Sequence, residues 1–302
     1  MYQLKNKKTS INDIASFLNI KYTGKSFFIN TVSSLNNIKN NSLLFYSNLD
    51  NKKINFKKFK NIIVICDINS KEKFNVPILV SKNPQFDFYR VIQKFFSINE
   101  FTNHTHKTAI IEKNSKIGKN VFVGSNCYIG NNVTIGDNSI ILQNTCIYGK
   151  TKIGSNSVIK SNTTIGSEGF GFIPVNKELY HLPHIGSISI GDHVWIGSNS
   201  TVEKSHIDET IIEDHVKIDD LVQIGHNTII KNFSQIAAGC VLVGKSKIGK
   251  NCWISPHCVV DIGCEIGDNC FVGTSSLVRK HFPKNSVIVG SPAKLLRKNV
   301  IK

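Results

Sequence analysis

Aliphatic residues recur at every sixth position over most of this chain. They stand at Ile111, Ile117, Val123, Ile129, Ile135, Ile141, Ile147, Ile153, Ile159 and Ile165 without a miss. The register returns at Ile190, Ile196 and Val202, slips once, and then runs unbroken from Ile212 to Val278. A period of six with β-branched anchors, often followed by Gly, reads as very short strands separated by tight turns. Three such units make one triangular coil, and every eighteenth residue then stacks on the rung below, about 4.8 Å away. The twenty-five anchors thus amount to roughly eight coils and a prism on the order of 40 Å long, its interior filled by the anchors themselves.

Residues 1–103 lack this period. In "TSINDIASFLNI", Ser10 is an N-cap with Asp13 in capping-box position, "NIIVICDI" and "VPILV" read as buried strands, and Asn83 caps a helix that begins at Pro84. The expected organisation is a small α/β domain over 1–103, a repeat prism over 104–280 and a basic tail over 281–302. Within the prism, "GSEGFGFIPVNKELYHLPHIGS" interrupts the repeat as an inserted loop over 166–189. Long ordered loops on rigid scaffolds are often functional. Phe170, Phe172, Tyr180 and Leu182 are its candidates for lining an apolar slot.

Composition narrows the classes. The formal charge is +16, and frequent Lys, Asn and Ile throughout account for part of it. After Asp268 no acidic residue remains while Arg279, Lys280, Lys284, Lys294, Arg297, Lys298 and Lys302 accumulate, so that end attracts an anionic partner. No aromatic-interleaved basic groove or nucleic-acid motif is present, which argues against nucleic acid. The start has no apolar h-region and nowhere do about 18 apolar residues run together, so neither a signal peptide nor a membrane span is indicated. A cytoplasmic protein with at most peripheral membrane contact is expected. The eight cysteines form no CxxC pair, and Cys240, Cys252, Cys258, Cys264 and Cys270 each lie two residues before an anchor, as reduced packing residues.

One histidine breaks the pattern. In "IDDLVQIGHN", His226 lies two positions after the anchor Ile224, where other coils carry Ser, Asn, Asp or Gly. The slot faces outward near a corner, which fits either a solvated imidazole or a base. By the eighteen-residue rule Gly244 stacks on one side of it and Asp208 on the other: a carboxylate, an imidazole and an unobstructed amide, the layout acyl transfer needs. The slip before Ile212 leaves Asp219 and Asp220 as alternative orienters of the ring.

The repeat resembles the hexapeptide-repeat acyltransferases, which implies a left-handed parallel β-helix and a homotrimer. The segments "GSEGFGF", "HIDETIIEDHVKIDDLVQIGHN" and "NPQFDFYRVIQ" further resemble the UDP-3-O-acylglucosamine N-acyltransferases of lipid A biosynthesis. That resemblance implies His226 as general base and the Gly244 amide as oxyanion donor. It also implies Phe45 and Asn48 as uridine contacts, and Phe170, Phe172, Asp219 and Asp220 near substrate. No bound cofactor or metal is implied; the donor is a phosphopantetheine-linked acyl group on acyl carrier protein, and the acceptor a UDP-amino-sugar. Asn51 stands where the family has a second stacking tyrosine, and a further family histidine falls near Gly263. The family's C-terminal helices are largely missing after "GSPAKLL".

Three other readings stay open. An acetyl-CoA-dependent sugar-nucleotide N-acetyltransferase suits the ending "VGSPAKLLRK" equally well. A metal-dependent carbonic anhydrase needs three converging ligands, and His181, His184, His193, His215 and His257 form no clear triad with His226 in the sequence. A non-catalytic β-helix leaves the N-terminal domain and the loop without a purpose.

Overall fold

The computed structural model describes residues 2–4, 8–46, 55–99, 101 and 104–300. The chain separates into two compact units, 1–100 and 101–302.

In the first unit, a four-stranded parallel sheet runs in the order Thr31–Val32, Ser42–Phe45, Ile62–Cys66, Ile78–Val80. The central strand Ile62–Cys66 is buried along its whole length, as expected of a parallel strand covered on both faces. Helix Ile11–Phe17 starts in a full capping box: Ser10 Oγ accepts from the Asp13 N–H while the Asp13 carboxylate accepts from the Ser10 N–H. Helix Pro84–Val91 starts at Asn83, whose side chain accepts from the Phe86 N–H. Ile11, Ile14, Leu43, Ile63, Leu79 and Phe88 close the core between them.

The second unit is the prism. Successive two-residue strands go in turn to three sheets of nine, eight and eleven strands, parallel apart from one terminal strand. Ile129 pairs with Ile147 and Ile147 with Ile165, a rung offset of 18. Two exceptions matter. Ile165 pairs with Val202, an offset of 37, because the loop intervenes. Val202 pairs with Ile224, an offset of 22, because four extra residues lie between them. From Ile224 to Val278 the offset in this sheet is again 18.

The anchors are fully buried from Val123 onward, whereas Ile111 at the open end is 38% exposed. Two residues before many of the anchors a small polar side chain ties adjacent coils: Ser139 Oγ donates to the Gly154 carbonyl at 2.9 Å. Cys240 occupies the same slot and its Sγ donates to the Ser255 carbonyl at 3.1 Å. The thiols therefore serve as weaker hydroxyls, and all eight cysteines are free.

Corners are turned by residues in the left-handed region. Asn126, Asn144 and Asn162, with φ of 57°, 60° and 61°, take it at one corner, and the Asn126 amide donates to that of Asn144. At another corner, rings replace the amides: His193, His215 and Phe233 stack with centroids 4.8 and 4.7 Å apart. The basic C-terminal segment is partly structured, with Ser286–Val289 extending one sheet and the wholly exposed Lys294–Lys298 pairing antiparallel on its edge. Among the described residues, no helix is long and apolar enough to cross a membrane.

Candidate active site

His226 leaves the strand Gln223–Ile224 on the outer side of the prism, yet it is only 9% exposed. The solvent-facing slot expected from the spacing is covered. The His206 ring lies 4.2 Å from it, centroid to centroid, and the fully buried His184 ring 5.4 Å from it.

The protonation pattern of His226 follows from its neighbour. Asn227 sits in the left-handed corner at φ 59° and its own N–H donates to Thr210 Oγ1. Its Oδ1 lies 3.0 Å from His226 Nδ1 and also accepts the backbone N–H of His206 at 3.3 Å. An atom that accepts an amide N–H is the oxygen, so Nδ1 of His226 carries the proton and Nε2 keeps its lone pair. That free nitrogen faces Gly244 on the next rung: a β-carbon on Gly244 lies 2.5 Å from Nε2. Only glycine lets the ring sit there. Among the described residues the Gly244 N–H donates no hydrogen bond, while the following Lys245 N–H goes to the His226 carbonyl.

Below His226 lies the segment that carries the register slip. Glu203 Oε2 accepts the backbone N–H of His226 at 3.1 Å and Oε1 accepts from Gln223 Nε2 at 2.7 Å. Burial pushes the Glu203 carboxyl above the usual carboxylate range, and these donors with the His226 ring pull the other way. His206 follows three residues later. Burial holds both His206 and His184 below the usual imidazole range; nearness to His184 and His226 adds to this for His206, while for His184 the Leu182 carbonyl pulls upward and nearness to His226 downward.

The inserted loop packs onto this cluster. It forms a hairpin of Phe172–Val175 and Glu178–His181, and Glu168 ties it down through His181 and Lys204, each at 3.4 Å. A β-carbon on Gly169 meets Glu203 Oε2 and His184 Nε2, and one on Gly171 meets His206 Nε2 at 3.1 Å. The glycines of "GFGF" are thus close-approach positions over the imidazoles. A line of rings runs from Phe170, 89% exposed, through Phe172, His181 and His184 to His206 and His226, with spacings from 3.9 to 6.2 Å. Tyr180 is exposed and Leu182 half-buried.

Other expected site residues lie elsewhere. Asp208 does not stack beneath His226, because the rung offset there is 22 and Lys204 takes that column. The Asp208 side chain is exposed, and its backbone carbonyl accepts from Ser187. Asp220 is occupied by Lys160 at 2.6 Å and by the Ser198 N–H, and Asp219 lines a groove with Trp195, Lys217 and Trp253 on a different face. Neither orients His226; Asn227 does. Phe45 packs on Phe88 at 4.8 Å in the first unit, while Asn48 and Asn51 lie outside the described residues. The sequence reading missed Asn227, Glu203, His206 and the convergence of His184. Subtracting 22 instead of 18 from His226 gives Lys204, which lies between Glu203 and His206 and is the signal that leads to the segment.

Known proteins share parts of this chain. Family models match at residues 101–169 (GMPPB C-terminal domain), 187–219 (hexapeptide repeat of succinyl-transferase) and 245–280 (bacterial transferase hexapeptide, six repeats). Proteins named UDP-3-O-acylglucosamine N-acyltransferase are similar: that of Delftia acidovorans is 32% identical over 128 residues, 42% of this chain and 38% of that protein. That of Hahella chejuensis is 41% identical over 91 residues, 30% of this chain and 26% of that protein. The matched stretches therefore span well under two thirds of these relatives. Among solved structures, LpxA from Acinetobacter baumannii superimposes with a TM-score of 0.60 at 24% identity, covering 64% of this chain and 74% of that one. UDP-N-acetylglucosamine acyltransferase from Francisella novicida gives 0.60 at 23%, covering 65% and 71%. The chain is a hexapeptide-repeat protein of the left-handed β-helix fold, homologous over part of its length to the UDP-3-O-acylglucosamine N-acyltransferases.

Proposed function

We propose that this chain is an N-acyltransferase that moves a 3-hydroxyacyl group from the phosphopantetheine thioester of acyl carrier protein to the 2-amine of UDP-3-O-acylglucosamine. The observation that carries the reading is a nearly buried imidazole, fixed by Asn227 as the Nδ1–H tautomer, with its free Nε2 over an amide that only glycine leaves open. In this reading the amine attacks the thioester carbonyl while Nε2 of His226 takes one of its protons. The Gly244 N–H donates to the oxyanion of the tetrahedral intermediate. Collapse breaks the C–S bond, and the imidazolium returns the proton to the departing thiolate, so no covalent enzyme intermediate forms.

The exposed apolar rings of the loop suit an acyl chain, and the exposed basic strand Lys294–Lys298 suits an acidic carrier protein. Phe45 is the uridine contact in this reading. The chain acts as a homotrimer in the cytoplasm.

The test is turnover of UDP-3-O-acylglucosamine by wild type and His226→Ala, with 3-hydroxyacyl carrier protein and acetyl-CoA supplied in parallel. His226→Ala is expected to lose about two to four orders of magnitude in kcat with its assembly unchanged. Near-normal turnover removes His226 from the mechanism, and a preference for acetyl-CoA makes the chain a sugar-nucleotide N-acetyltransferase instead.

A further inference from the structure

The imidazoles around His226 hold more lone pairs than the reaction uses. His184 is fully buried, and its Nδ1 lies 3.0 Å from the Leu182 carbonyl, which only accepts. Its proton is therefore on Nδ1, and Nε2 is a bare lone pair. That Nε2 has no hydrogen-bond partner, and neither does the buried Nε2 of His206. His226 repeats the pattern, with Nδ1–H on the Asn227 amide oxygen and Nε2 free. One ring nitrogen from each of the three lies within 4.8 Å of the others.

Buried polar atoms without partners are uncommon and each calls for a reason. Three imidazoles, two of them presenting Nε2 while Nδ1–H is held by a carbonyl oxygen, form the arrangement that metal-binding histidines show: the outer hydrogen bond fixes the tautomer and aims the other nitrogen at the ion. Neutral imidazole is a ligand for Zn²⁺ and its neighbours among divalent transition ions. We propose that His184, His206 and His226 bind one such ion. Zinc at about 2.0–2.1 Å from each nitrogen sets them roughly 3.3 Å apart, so each ring turns inward by less than about 1 Å. The 27° between the His184 and His206 planes widens as the two nitrogens converge on one point.

The site would join three separate parts of the chain: the loop through His184, the slipped segment through His206 and the regular coil through His226. An ion there engages the same imidazole that acts as base, so metal and acyl transfer exclude each other. Binding stands on the geometry alone; this exclusion also rests on His226 being the base.

The experiment uses the full chain without an affinity tag, stripped with EDTA. Equilibrium dialysis against ZnCl₂ with elemental analysis is expected to give one zinc per chain, and X-ray absorption at the zinc edge three imidazole ligands, a count that needs no variant. His206→Asn and His184→Gln are each expected to weaken binding at least about a hundredfold, since removal of mere outer partners already costs ten- to a hundredfold. His181→Gln, which disrupts the neighbouring Glu168, His181, His184 group, is expected to bind as wild type. Absence of stoichiometric zinc in folded wild type overturns the proposal, as does binding lost in His181→Gln but kept in His206→Asn. One equivalent of zinc is expected to abolish turnover of the stripped enzyme and a chelator to restore it. Tight zinc with turnover unaffected keeps the site and overturns the role of His226 as base.

Discussion

Replacing Gly244 by Ala adds a single methyl group between the prism and His226, and the structure sets its consequence. The new β-carbon lies 2.5 Å from Nε2, 2.7 Å from Cε1 and 2.9 Å from Cδ2 of the ring. Ordinary van der Waals contact begins near 3.4 Å, so the imidazole retreats by about 0.9 Å or tilts away. Gly244 is not among the glycines with positive φ, so the backbone accepts Ala without strain. The ring moves, and the fold has no reason to.

A displacement of about 1 Å in a positioned catalytic group costs on the order of a hundredfold in rate, or about 2.7 kcal/mol of transition-state stabilisation. Overpacking at this buried position costs about 1–3 kcal/mol of stability. Steady-state kcat and KM with acyl carrier protein donor, beside thermal melts by circular dichroism, separate the two effects. Gly263→Asn is the control: Gly263 lies on the next rung at φ 66° with open space around its β-carbon position, and Asn tolerates that conformation. If Gly244→Ala stays within about threefold of wild type in kcat, the ring was not held in a working position and His226 does not act as the base from this geometry.

Asn227→Gly keeps the left-handed corner but removes the acceptor for Nδ1–H; kcat is expected to fall about ten- to a hundredfold with KM little changed, as progress curves at saturating substrate can show. Ile224→Ala hollows the coil that carries His226, where Ile224 is fully buried, and urea unfolding is expected to report a loss of about 2–5 kcal/mol. The Lys160 ammonium, bonded to Asp220, holds that carboxyl below its ordinary value of 3.8. The stabilisation is thus present above about pH 4 and fades as pH falls through the lower folded value. Because Asp220 is 40% exposed, the difference in melting between wild type and Asp220→Asn is small, about 1 kcal/mol or less. It is expected to shrink as pH falls below about 4; a difference that stays constant as the pH falls assigns it to something other than charge.

The period-six anchors were legible because each coil has one interior slot per face, and only an aliphatic side chain fills it. Capping at Ser10 and Asn83 was legible for the same kind of reason, since a helix start needs a local acceptor. The environment of His226 was only half legible. Gly244 follows from the unbroken offset of 18 above it, but Asp208 came from applying that offset below, across four extra residues. Glu203 and His206 stayed hidden because those residues displace everything counted through them. His184 stayed hidden because a loop outside the repeat has no period to count. Asn227 stayed hidden in plain view: Asn in the third position after an anchor is the ordinary corner residue, and nothing in the spacing distinguishes one whose amide turns back toward an imidazole.

The two breaks in the repeat are better understood together than as separate irregularities. A strictly periodic prism offers the same few side chains at every corner, and chemistry needs unlike groups brought close. Strands Thr164–Ser167, Thr201–Glu203, Gln223–Ile224 and Val241–Leu242 are consecutive neighbours in one sheet. The chain leaving the first becomes the loop with Glu168 and Phe170; leaving the second, it becomes the slipped segment with His206. The third leads to His226 and the fourth to Gly244. Three rung intervals of about 4.8 Å place all four exits within roughly 15 Å along one edge. Both insertions therefore emerge at the same corner, on consecutive rungs, beneath the one histidine that occupies its column. The regular coils on either side supply rigidity, and the interruptions supply the carboxylate, the extra imidazoles and the cover that a bare corner lacks.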